Sequence, residues 1–186
     1  MTIKYSINLE NISSYDIINL LKEGKVLETK TDTLPALICD PYSIKAVEGI
    51  FSLKKRPRSK QLPLFVPNNW NEKTLVNQWN TWEKKLIKKY WPGPLTIIKK
   101  FSNEISKKPV LGDPTDTVAL RCPDWAPLLK ILEKFGPIAS TSSNISGQMS
   151  ENEANIRSTI VQITENEKND NKIKVLRSGN IKDFNL

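Results

Sequence analysis

The chain has 186 residues and a formal charge of +8, from 28 Lys and Arg against 20 Asp and Glu, and it contains no histidine. A chain of this length hides roughly 70% of its unfolded surface on folding, so a single domain over residues 1–186 needs no metal or disulfide support. The missing histidine excludes Ser/His/Asp and Cys/His nucleophilic arrangements and most zinc sites, while the excess of cations favours anionic partners such as nucleotides or RNA.

The first helical signal is "SSYDIINLLKEGK", with a serine cap, apolar residues at helical spacing and a closing Gly24. "KVLETK" follows as a strand. In "SIKAVEGIFSLKK", Ile44, Val47, Ile50, Phe51 and Lys54 recur three and four residues apart, which places Lys54 in the last turn of a helix that ends before Pro57. "LPLFV" reads as a strand, "TWEKKLIKKYW" as an amphipathic helix, and "PLTIIKKF" and "TVALRC" as two strands without a helix between them, suited to antiparallel pairing. A helix at "APLLKILEKFG" and strands at "PIAST" and "IKVLR" complete the series, with the polar stretch 164–172 reading as a mobile surface loop. Alternating strands and helices predict an α/β fold with a mixed sheet and helices packed on it.

Cys39 and Cys122 lie too far apart in sequence for a paired metal or redox motif, and no basic, apolar, small-residue leader opens the chain. Together with the absence of any apolar run near ~18 residues, this predicts a cytoplasmic protein without a membrane span. The seven glycines include no two that are two residues apart, which excludes both the dinucleotide fingerprint and the P-loop. Phosphate could instead be held by cations beside hydroxyl and amide donors. "KKRPRSK", residues 54–60, offers such cations, although a charge run is most often a solvated face. "STSSNISG", 140–147, and "TKTDT", 29–33, follow strand-like segments and offer hydroxyls where open α/β sheets bind ligands, with ordinary polar turns as the alternative. The five tryptophans, four of them within 70–91, read as packing residues in preference to base-stacking platforms.

"TDTLPALICDPYSIKAVEGIFSLKKRPRSKQLPLFV" resembles the signature of the YrdC-like, or TsaC-like, threonylcarbamoyl-AMP synthases. "YWPGPLTIIKK", "TVALRCPDW", "GPIASTSSNISG", "STIVQIT" and "KVLRSGNI" follow in the family's order, so the resemblance runs from about Gly24 to Ile181. It implies a twisted mixed α/β sheet around a deep electropositive cavity, in the short, single-domain form of the family. Position by position, it implies a catalytic and nucleotide-binding tetrad of Lys54, Arg56, Ser142 and Asn144. Thr31, Thr33, Lys60 and Arg121 correspond to substrate-binding positions, and Ser158 and Arg177 to positions near the nucleotide. The implied reaction condenses L-threonine with bicarbonate or CO2 and attaches the carbamate to AMP from ATP, releasing pyrophosphate. The product serves t6A modification of tRNA, which implies the tRNA threonylcarbamoyltransferase machinery, and tRNA or other RNA, as partners. ATP enters as a substrate and Mg2+ with it. No protein metal site is expected.

The chain departs from the family pattern at three places: Lys30 replaces a proline, Pro35, Ala36 and Ile38 replace a tyrosine and two glycines, and Gln162 replaces an aspartate. The second departure lies at the threonine end and leaves two alternatives open: a non-catalytic nucleotide- or RNA-binding relative, or a carbamoyl-transfer relative with another acceptor. Helical geometry adds an expectation for the basic run: Lys54, Arg56 and Lys60 face inward, Lys55 and Arg58 outward.

Overall fold

The computed structural model describes residues 4–6, 12–105, 107–144, 155–165 and 171–184. Among the described residues, the helices α1 (Ser14–Lys22), α2 (Ile44–Lys54), α3 (Thr81–Tyr90) and α4 (Ala126–Phe135) pack on one mixed sheet. Its strands are β1 (Lys4–Ser6), β2 (Val26–Thr29), β3 (Ala36–Cys39), β4 (Leu64–Phe65), β5 (Leu95–Lys100), β6 (Thr117–Arg121), β7 (Ile138–Ser142), β8 (Thr159–Glu165) and β9 (Asn171–Arg177). Their order across the sheet is β1-β2-β3-β7-β4-β6-β5-β8-β9. The pairs β1/β2, β4/β6 and β5/β8 are parallel and the others antiparallel, including β5/β6 as the sequence predicts.

The helix starts follow capping chemistry. Ser13 accepts from the Asp16 amide and Ser43 from the Ala46 amide, and Asn80 and Glu83 form a reciprocal capping box on α3. Lys55 ends α2 in the left-handed region (φ 48°, ψ 40°), and the Arg56 amide bonds back to the Phe51 carbonyl at 3.0 Å. That ending reverses the chain, so Lys54 and Arg56 turn inward around an exposed Lys55.

Successive strand residues point to opposite faces, and the core divides accordingly. Val26, Leu37, Cys39, Leu64, Leu95, Ile97, Val118, Leu120, Ala139 and Val161 meet Val47, Ile50, Phe51 and Leu86 in one cluster, under α2 and α3. Leu27, Ala36, Ile38, Phe65 and Ile138 meet Ile17 and Leu21 of α1 and Leu128, Ile131 and Leu132 of α4 in the other. These two helices thus cover most of the second face over β2, β3, β7 and β4, whereas over β6, β5 and β8 that face carries Ala119, Arg121, Thr96, Ile98 and Ile160 toward a cavity that Ala36, Phe65, Ser140 and Ser142 also border.

The structure adds β1, β3 and β8 to the elements predicted from the sequence. β3 was hidden because "ALIC" is buried at every position and shows no alternation. Ile44, expected on the buried face of α2, is 65% exposed in the first turn. Within 164–172, Thr164 and Glu165 belong to β8 and Asn171 and Lys172 to β9, while 166–170 lie outside the described residues. Among the tryptophans, Trp91 is 8% exposed, and Trp70 and Trp79 pack partly buried against the same cluster. Cys39 and Cys122 are free and buried. No helix among the described residues is long and apolar enough to cross a membrane.

Candidate active site

The cavity occupies about 330 Å3, within the range of small-molecule sites. Arg56, Arg121, Arg157 and Arg177 line it together with the hydroxyls of Thr33, Thr96, Thr117, Ser140, Thr141, Ser142 and Ser158, and among the described residues no carboxylate joins them. β7 contributes Ser140, Thr141 and Ser142 at its end, so "STS" is a strand terminus and not a turn; 145–147 of the same motif lie outside the described residues.

Each cation is held differently. Arg56 donates through Nε to the Lys60 carbonyl at 2.7 Å and through Nη2 to the Gln61 carbonyl at 2.8 Å, which leaves Nη1 for the cavity. Burial lowers its pKa. Arg177 donates through Nη2 to the Ser158 carbonyl at 2.8 Å and to Ser158 Oγ at 2.9 Å. Thr96 also donates to Ser158 Oγ, at 2.9 Å, so this hydroxyl accepts twice and keeps its own hydrogen for a partner in the cavity. Burial, followed by repulsion from Arg157, Arg121 and Arg56, lowers the Arg177 pKa to about 10. The arginines therefore share one positive field, which an anionic ligand would relieve.

Arg121 has a carboxylate partner. Its Nη2 meets Asp32 Oδ1 at 2.5 Å, Nη1 donates to Thr33 Oγ1 at 2.8 Å and Nε to the Gly93 carbonyl at 3.0 Å. The Thr31 hydroxyl donates to the Leu34 carbonyl at 2.8 Å, so across the 3.1 Å contact between the two hydroxyls Thr33 is the donor. The chain Arg121, Thr33, Thr31, Leu34 fixes the turn between β2 and β3. Burial lowers the Arg121 pKa, and Asp32 opposes that shift. Asp32 Oδ2 is buried and has no hydrogen-bond partner among the described residues.

The expected residues do not all converge. Arg56, Ser142, Thr33, Arg121, Ser158 and Arg177 line the cavity. Thr31 supports Thr33 from behind, and Asn144 is half-buried in the turn after β7, outside the lining set. Lys54 is 3% exposed and also outside that set: its ammonium donates to the Ser142 carbonyl and faces Ser142 Oγ at 3.5 Å. Lys60, expected to face inward, is exposed; its carbonyl, not its side chain, serves the site by anchoring Arg56. The physical reason is that the chain leaves the helix after Lys55, so the 100° rotation rule does not reach residue 60. Arg58 is outward as expected, paired with Glu48 and Asp113.

Sequence reasoning missed Arg157, Thr96, Gln61 and Phe65 on the lining. Thr96 was legible in principle, as a polar residue between buried Leu95 and Ile97. Arg157 is placed by Gly179, where any Cβ would collide with the Arg157 carbonyl, and by its own bond to the Ser178 carbonyl at 3.2 Å. At the altered segment, Pro35 is exposed, Leu34 and Ala36 line the cavity, and Ile38 packs in the cluster under α1 and α4. The added bulk at 38 therefore does not narrow the cavity.

Comparison with known proteins places these features in context. The family model of the Sua5, YciO and YrdC proteins, described as telomere recombination, matches residues 19–156. A threonylcarbamoyl-AMP synthase of Photobacterium profundum is 32% identical over 134 residues, covering 70% of this chain and 71% of that protein. One from Pyrococcus abyssi is 33% identical over 131 residues, but the match covers only 38% of its length. The structure of Pyrococcus abyssi Sua5 complexed with L-threonine superposes with a TM-score of 0.72 at 27% identity, over 88% of this chain and 55% of that one. Escherichia coli YciO, at 20% identity, shares the fold with a TM-score of 0.72 over 96% of both chains.

Proposed function

The chain belongs to the Sua5, YciO and YrdC family, and on that footing we propose that it is an L-threonylcarbamoyladenylate synthase, making threonylcarbamoyl-AMP from L-threonine, bicarbonate or CO2, and ATP. The observation that carries this reading is the cavity lined, among the described residues, by four arginines and no carboxylate, with hydroxyls from three strands between them. Such a lining suits a polyphosphate.

The reaction needs no protein nucleophile. The threonine nitrogen attacks the carbon of CO2 and loses a proton, and a carbamate oxygen then attacks the α-phosphorus of ATP, expelling pyrophosphate. The protein's task is to orient these partners and to stabilise charge growing on the phosphoryl oxygens, a role supported for Arg56, Arg177, Ser142 and Ser158 by their common position on the cavity lining. Arg121, already paired with Asp32, is suited to a carboxylate or carbamate through its remaining N–H groups. Among the described residues no three acidic, histidine or cysteine side chains converge on a metal position. Magnesium would enter with the substrate, carried on the triphosphate. The product would feed t6A modification of tRNA in the cytoplasm, with the transferase machinery as partner.

A second reading, nucleotide binding without synthesis, is favoured by Pro35, which stands exposed where the family pattern has a tyrosine. One experiment separates the two: incubation of the pure protein with ATP, magnesium, bicarbonate and L-threonine, followed by mass spectrometry. Threonylcarbamoyl-AMP with stoichiometric pyrophosphate supports synthesis, and ATP binding without product supports the second reading.

A further inference from the structure

Lys54 is the one member of the expected tetrad that is buried behind the lining of the cavity while its bonding partner stands on it. It closes α2, where the unpaired carbonyls of the last turn favour a cation. Its ammonium reaches across 88 positions of sequence to the Ser142 carbonyl and lies 3.5 Å from Ser142 Oγ. Among the described residues, Ser142 is otherwise held by pairing with Ala36 in β3 and by the 2.8 Å bond from the following Ser143 amide to the Pro35 carbonyl. Lysine has donors and no acceptor, so Ser142 Oγ can only present a lone pair to it, and the hydroxyl hydrogen is turned away.

We propose that Lys54 is a positioning residue for the synthase: it fixes the end of β7 and the rotamer of Ser142, so that the serine hydroxyl meets the ligand's phosphoryl oxygens beside Arg56 and the ammonium does not. The proposal rests on the nucleotide reading of the cavity. A purely stabilising role is a poor account of this lysine. A buried ammonium whose partners in the structure are a carbonyl and a hydroxyl, with Arg56 as its charged neighbour, is held at a cost, and burial first, then Arg56, lowers its pKa to about 8.

The test combines binding and spectroscopy. ATP with magnesium is titrated by calorimetry into wild type, Lys54→Met, Ser142→Ala, the double variant and Lys54→Gln. The carbonyl carbon resonance of Ser142 is followed by NMR in the ligand-free protein from pH 6.5 to 9.5. Positioning predicts that Lys54→Met and Ser142→Ala each weaken ATP by about ten- to a hundredfold, that the double variant is no weaker than the weaker single, and that Lys54→Gln, whose amide still donates, recovers part of the loss. It also predicts a Ser142 resonance that titrates near pH 8 in wild type and loses that response in Lys54→Met. Losses that multiply, with no recovery by glutamine, would make Lys54 an independent ligand contact and overturn the proposal, as would a Ser142 resonance indifferent to pH. If wild type binds no ATP, the nucleotide reading falls, and the Ser142 resonance compared between wild type and Lys54→Met, which needs no ligand, still decides for or against the Lys54–Ser142 contact.

Discussion

The cations of this protein fall into two regions that differ in what holds them. Around Arg56, Lys54 and Arg177 the partners in the structure are backbone carbonyls and hydroxyls, whereas at the β2–β3 turn Arg121 is matched by Asp32, and on the outer surface Arg58 is matched by Glu48 and Asp113. A carbonyl orients a cation without cancelling its charge. A carboxylate does both. The first region therefore leaves its charge for an incoming anion to meet, whereas at Arg121 the carboxylate takes up part of the charge and helps to hold the turn, with the remaining N–H groups left to the cavity.

The sharpest break in that comparison is Arg56→Ala. Removing a cation that meets no carboxylate among the described residues should lower synthase turnover by more than about a hundredfold, while Lys55→Ala, exposed one residue away, should stay near wild type. Equal losses would reduce the site to a diffuse basic patch. In the second region the effect should fall on stability: Asp32→Asn leaves Arg121 buried and uncompensated, and urea unfolding should show a loss of about 3 kcal/mol. An unchanged midpoint would show that Thr33 and the Gly93 carbonyl suffice.

The amino-acid end comes next in size. With Pro35 exposed and no aromatic ring at that position, the threonine KM should lie about tenfold above that of Pro35→Tyr, with the ATP KM little changed between them. Product formation across threonine, serine and glycine at fixed ATP measures it, and tight threonine selectivity in wild type would show that another residue has taken the ring's role.

A smaller effect is expected from pH. The folded-state pKa of Lys54, about 8, lies below its ordinary 10.5, so above pH 8 the folded protein binds fewer protons than the unfolded chain and this residue's contribution to stability rises with pH. Cys122, raised from 9.0 to about 12, and Cys39, raised further, act in the opposite sense above pH 9. Between pH 8 and 9 wild type should therefore gain stability relative to Lys54→Met, and parallel curves would contradict the assignment. The smallest change is Lys55→Gly: at φ 48° glycine carries no Cβ penalty, so stability should rise by at most about 1 kcal/mol in urea without altering activity.

Much of this was legible along the chain, because the signals are local. Ser43 and the apolar spacing of 47–54 delimit α2, Asn80 and Glu83 start α3, and the cluster of cations at 54–60 lies where the helix ends. The motifs also located Arg56, Thr33, Arg121, Ser142, Ser158 and Arg177, all of which line one cavity. What the linear pattern could not decide was direction and cover. Lys60 turns out because the chain has already left the helix, Lys54 stops behind Ser142, and Ile38 goes to the core under α1 and α4. Among the described residues, the cavity depends on α1 and α4 covering most of β2, β3, β7 and β4, so that the ends of β3, β4 and β7 and the same face of β6, β5 and β8 line it. That arrangement joins residues as distant as Thr96 and Ser158 through the parallel pairing of β5 with β8, and no periodicity within either segment encodes it.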